Sequence, residues 1–148
     1  MAVKPRPDGY HSVTPHLTVQ GAPVLLEFLK QAFDAQVIHC MTSPDGVIRH
    51  AEVRIGDSPV MIGEATDEWK PMPTTLYLYV NDVDATYERA IKAGAVSIAP
   101  LQDQFYGDRS GGVKDPCGNH WGIATHIEDV APEELAKRAA AAAQNCGQ

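Results

Sequence analysis

Six histidines, nineteen acidic residues and three cysteines supply the groups in this chain that could ligate a metal, move a proton or attack a carbonyl. Four of the imidazoles sit where a residue pattern gives them a direction. His16 lies in the run Ser12 to Val19, where Val13, Leu17 and Val19 point one way and Thr14, His16 and Thr18 the other. His50 and Glu52 share a face of a second alternating run, opposite Ala51, Val53 and Ile55. His120 and His126 share a face of the last run, and Glu64 follows the short apolar segment Val60 to Gly63. Imidazoles and carboxylates hold zinc or nickel and carry protons near neutral pH. Cys117 has no His–Asp partner near it in sequence, and Gly111-Gly112 is a lone pair, so neither a nucleophile nor a phosphate cradle is read from them.

Each of these side chains also has a plain structural use. His16 can line a wall, His120 can fix the Gly118-Asn119 turn through a ring N–H, and His126 can make a structural hydrogen bond. The guanidinium fork of Arg109 suits an anionic or carbonyl ligand, or a salt bridge to Asp103, Asp108 or Asp115. Phe105 and Tyr106 can stack on a flat ligand or anchor their loop.

The elements that must position these groups come twice. After a polar arm over residues 1–11, the pattern predicts a strand interrupted by Pro15, a helix opened by Gly21 and Pro23, a strand from Gln36 to Met41, the Ser43-Pro44-Asp45-Gly46 turn, and strands from His50 and Val60. Residues 65–73 read as a linker. The order then restarts. Thr75, Tyr77 and Tyr79 alternate with Leu76, Leu78 and Val80, a helix runs from Val83 to Ala93, and strands follow at Val96 to Pro100 and His120 to His126. Gln102 to Asp108 reads as a polar stretch and Asp115 to Asn119 as a tight turn. Leu17 and Val19 precede Leu78 and Val80 by about 61 positions, which points to a degenerate repeat of one βαβββ unit. The first unit spans 12–64, the second 74–130, and the two form one domain. Pro132, the pairs Glu133/Lys137 and Glu134/Arg138 and an alanine run make 131–148 a peripheral helix and tail.

Composition excludes several classes. With 44% hydrophobic and 21% charged residues over 148 positions, the chain is an ordinary globular domain. A net charge of -7 argues against nucleic acid or an anionic membrane as partner. No apolar run is long enough to span a bilayer, and the first residues carry no apolar core of a secretory signal. Three scattered cysteines read as reduced thiols of a cytoplasmic protein.

Two βαβββ units with these words resemble the vicinal oxygen chelate superfamily, which holds glyoxalase I, bleomycin-resistance proteins and extradiol dioxygenases; the likeness is to its PhnB-like subgroup. The carrying residues are Val13–Val19, His50–Asp57, Leu78–Asp84, Gln104–Arg109 and Val113–Trp121, and the likeness covers about residues 10–130. It implies an α+β fold in which two modules form a curled mixed sheet around a cup, a small-molecule ligand in the cup, and a homodimer. Thr14, His16, Thr75, Tyr77, Tyr79, Phe105, Tyr106, Arg109 and His120 are then the expected ligand-binding residues. The metal slots usual in that superfamily fall by position on Thr14, Thr75, near Ile62 and near Gly122, side chains that cannot hold a divalent ion tightly. The expectation is therefore a binding protein without the usual metal and without a cofactor, of the drug-sequestering kind. The alternative is a lyase or isomerase that holds zinc or nickel on a displaced set, His16, Glu64 and His120.

Overall fold

The computed structural model describes residues 2–146; Met1 of the arm and Gly147 and Gln148 of the tail lie outside the described residues. The elements follow the repeated order: β1 (His16–Val19), α1 (Ala22–Phe33), β2 (Gln36–Thr42), β3 (Ile48–Ile55), β4 (Ser58–Glu64), then β5 (Thr75–Tyr79), α2 (Val83–Lys92), β6 (Val96–Asp103), β7 (Asp108–Lys114), β8 (His120–His126), and a final α3 (Pro132–Cys146). Each module is a four-stranded mixed sheet, β1-β4-β3-β2 and β5-β8-β7-β6. In each, the first and last strands pair in parallel and the others antiparallel.

The alternation read from the sequence sets which face each sheet buries. Leu17, Val19, Ala51, Val53 and Ile62 of the first sheet and Val113, Trp121 and Ile123 of the second all join one core with Leu25, Phe28 and Leu29 of α1. The Phe33 ring of α1 lies 4.9 Å from Trp121 of β8, so the first module's helix packs on the second module's sheet. Arg89 of α2 also grips Asp34, the left-handed residue that ends α1, with two hydrogen bonds of 2.7 and 3.1 Å.

Two expectations are corrected. Val13, read as an inward neighbour of Leu17, is 83% exposed, because β1 begins only after Pro15. The stretch around Arg109, which carries no strand alternation in the sequence, is strand β7. Gly111 and Gly112 weaken its strand signal, but they are where Tyr87 of α2 and Ile98 of β6 come closest; a Cβ on Gly111 would stand 2.9 Å from the Tyr87 ring.

The turn before β8 is fixed by Asp115, which is buried. Its carboxylate accepts from the Cys117 N–H (2.8 Å), the Asn119 N–H and side-chain amide (both 3.0 Å) and the Trp121 indole N–H (2.9 Å). The Asn119 side-chain carbonyl in turn accepts from the Thr74 N–H at 3.1 Å, which sets the start of β5 against β8. Asp115 and Asn119, not His120, fix the turn.

Candidate functional site

Both sheets turn their apolar faces to one core and their polar faces away from it. The expected site residues divide accordingly. Thr14 and His16 belong to the outward face of the first module. Thr75, Tyr77, Tyr79 and His120 belong to that of the second. A cleft of about 500 Å³ at the seam takes Arg54 from the first outward face and Tyr79 from the second. No described cavity joins His16 to Tyr77.

The second face is an aromatic wall built on one buried acid. Asp108, 3% exposed, opens β7 opposite His126. Its Oδ2 accepts from the hydroxyls of Tyr77 (2.8 Å) and Tyr79 (2.9 Å), and its Oδ1 faces His126 Nδ1 at 2.8 Å. The other His126 nitrogen faces Asp129 at 2.7 Å. Burial disfavours the Asp108 carboxylate, but the bonds from His126, Tyr77 and Tyr79 outweigh it and hold its pKa below the ordinary value. The same bonds keep both phenols protonated: burial and then Asp108 raise Tyr77, while Asp108 and then burial raise Tyr79. Asp108 and then Asp129 raise His126. The Tyr77 ring lies over Gly122 of β8, where a Cβ would stand 2.8 Å from it. Phe105 and Tyr106 pack edge to face, with centres 5.3 Å apart, on the loop between β6 and β7. All four rings remain 39% to 59% exposed.

The first face is richer in imidazoles. His16 extends over Gly63 of β4 toward His50 of β3, the two rings 6.0 Å apart, and His39 of β2 lies 6.4 Å from His50. His50 Nε2 meets Glu52 at 3.1 Å, and the Tyr10 hydroxyl donates to the other Glu52 oxygen. Tyr10 and then His50 hold Glu52 below the usual carboxylate pKa. Residues 5–12 of the arm thus roof a cavity of about 740 Å³ whose floor includes Thr14, Glu52 and Met61.

The displaced metal set is not assembled. Glu64 has the strand parity of Ile62, on the helix side, and its carboxylate accepts from the Gly21 N–H (2.9 and 3.0 Å) and the Ala22 N–H (2.9 Å). It caps α1, whose own N-cap, Gly21, has no side chain to do so. His16 and His120 stand on different outward faces. The family slots do not fit a metal either: Ile62 is fully buried, Gly122 lies under the Tyr77 ring, and Thr14 and Thr75 carry only hydroxyls. Among the described residues no three His, Cys, Asp or Glu side chains converge as a metal site.

A model of the Glyoxalase/Bleomycin resistance protein/Dioxygenase superfamily matches residues 10–123. The chain belongs to this superfamily. An uncharacterized protein of Mycobacterium bovis is 36% identical over 135 residues, covering 84% of this chain and 89% of its own. A Mycobacterium tuberculosis H37Rv relative shows the same identity over the same length and is 79% covered. Among solved structures, TioX from Micromonospora sp. ML1 superposes with a TM-score of 0.69 at 24% identity, over 79% of this chain and 99% of TioX. TnmS3, an antibiotic binding protein from Streptomyces sp. CB03234, gives 0.64 at 19% identity, over 85% of this chain and 98% of its own. At these identities the two structures speak for the glyoxalase/bleomycin-resistance fold.

Arg109, expected over the cup, lies on the helix side of β7. Its guanidinium makes two 2.9 Å bonds to Asp84 of α2 and one of 3.1 Å to Asp103 of β6. These bonds raise its pKa, the Asp84 bond first, and commit the fork to holding α2 on the sheet. The Cys117 thiol donates to the Gln20 and Gly21 carbonyls at 3.6 Å, and burial, then Asp115, pushes it up to about 11, the opposite of an activated nucleophile. Sequence reasoning missed Asp108, Tyr10 and His39 as parts of the two faces. The pairing of Asp108 with His126 follows from β7–β8 register, so β7 had to be seen first.

Proposed function

We propose that this superfamily member binds a small, flat organic molecule against the Tyr77–Tyr79 face, without a metal held in the usual slots and without breaking a bond. The observation that carries the reading is a set of four exposed aromatic rings, two of them held in place by a single buried carboxylate. Rings fixed in this way offer stacking area at low entropic cost. The fold shared with the antibiotic-binding TnmS3 supports drug sequestration as its use. The unmatched outward faces support a homodimer in which the first module of one copy, with Thr14 and His16, closes over the second module of the other. The words Gln104–Arg109 and Val113–Trp121 support a place in the PhnB-like subgroup, and the exposed Cys40 thiol supports a reducing, cytoplasmic setting.

A thermal-shift panel of antibiotics and aromatic metabolites tests the reading. A compound present at a hundred times Kd should stabilise the fold by about 2.7 kcal/mol. The same compound should lose its effect on the Tyr77→Ala/Tyr79→Ala double variant. Stabilisation that persists in that variant places the ligand elsewhere and sinks the reading.

A further inference from the structure

This inference rests on the binding reading above and names the class of ligand. The hydroxyl protons of Tyr77 and Tyr79 both point to Asp108 Oδ2, at 2.8 and 2.9 Å. A phenol has one proton and two lone pairs. With the proton committed to a buried carboxylate, each hydroxyl turns only lone pairs outward. Ser110 and Tyr106 already stand beside the Tyr77 oxygen, so Tyr79, at 59% exposure, presents the freer acceptor. Asp108 is itself satisfied by three partners and buried, so it does not reach a ligand directly; it fixes which way the phenols face. The protonated state that this requires is the one its hydrogen bonds favour. Lys114 and His120 of this sheet pair at its far end, six residues along β7 and about 20 Å away by strand rise; nearer the rings, Arg89 is held by Asp34 and Arg138 by Glu128 and Glu134, and Arg54 of the first module shares the seam cleft with Tyr79. The imidazole of His126 is turned between Asp108 and Asp129.

A ligand edge placed against Tyr79 must therefore supply hydrogen. An acceptor edge, such as a carboxylate or a quinone carbonyl, would meet lone pair against lone pair. A positive charge is doubly suited, since the ring faces attract cations. We infer that the ligand of this face presents hydrogen-bond donors to it, and that protonated aromatic amines carrying N–H groups on a flat ring system are the matching class.

Three dyes of similar shape separate donor from charge and from ring. Proflavine is a cationic acridine with two amino groups. Acridine orange, used as its ring-nitrogen methyl derivative, keeps the ring and the charge but has all N–H hydrogens replaced by methyls. Anthracene-9-carboxylate offers acceptors alone. By fluorescence titration of the full chain, proflavine should bind about tenfold tighter than acridine orange, as expected for a charge-assisted hydrogen bond, and anthracene-9-carboxylate should bind most weakly. Tyr79→Phe keeps the ring, removes the acceptor and leaves the core untouched, so it should bring the two acridines within about twofold; a preference due to methyl bulk would survive this change. Asp108→Ala removes the acceptor of both phenol protons and should raise affinity for anthracene-9-carboxylate. Equal affinity for the two acridines, a preference for the carboxylate in the intact protein, or a preference that survives Tyr79→Phe overturns the inference while leaving a binding face. Failure of all three dyes to bind overturns the binding reading, and the inference with it.

Discussion

Asp108 and Glu64 are both acids at the end of an inner strand, and their surroundings give them different work. Asp108 gathers two phenols and an imidazole into a rigid wall; Glu64 satisfies the open N–H groups of α1. The His126 ring between Asp108 and Asp129 has its pKa raised, so it stays charged above the pH at which a free imidazole, near 6.5, loses its proton. The sign of the linkage follows: its contribution to stability is complete below about 6.5 and fades as pH rises through the raised value. An NMR titration should find His126 as a high-titrating imidazole, and Asp108→Asn should lower its midpoint. Glu64→Ala should cost about 1–2 kcal/mol in urea unfolding through loss of the helix cap. If Glu64 instead belonged to a cation site, its removal would abolish metal retention with little change in stability.

At the level of the strands, the face assignment came directly from alternation. The apolar series Leu17/Val19 and Leu76/Leu78 and the polar series Tyr77/Tyr79 lie as the period of two requires. What alternation did not carry was the register between strands. Asp108 meets His126 only because β7 pairs with β8 as it does, and Tyr77 meets Gly122 only because β5 does. The Gly111-Gly112 pair hid β7, and with it the fact that Arg109 points to α2. The same register explains a vulnerable position. Gly122→Ala would drive a methyl into the Tyr77 ring, costing about 1–3 kcal/mol of stability and dislodging that ring from Asp108. A near-ultraviolet circular dichroism change at the tyrosine band, with the fold retained, would register it. Asp115→Ala removes the acceptor of four donors and should cost about 3 kcal/mol, with faster amide exchange at Asn119 and Thr74.

Across the whole molecule, the repeat was legible but its arrangement was not. The family resemblance implies both polar faces in one cup; in the structure the two sheets share a core, with Phe33 of α1 packed on Trp121 of the second sheet. Phe33→Ala should therefore weaken both modules together, by about 3–5 kcal/mol, and the chain should still unfold in one transition. Separate melting of the two modules would show that the core is not shared. The proposed cup, closed by the first module of a second copy, predicts a dimer at micromolar concentration in sedimentation equilibrium. The most direct test of the binding face is a proflavine titration followed through aromatic ¹H–¹³C spectra of the intact protein. Shifts centred on Tyr77, Tyr79 and Tyr106, joined by His16 from the facing copy and saturating at one dye per chain, are the expected result. Shifts confined to the first module's face around His39 and His50, with the tyrosine signals unmoved, would contradict it.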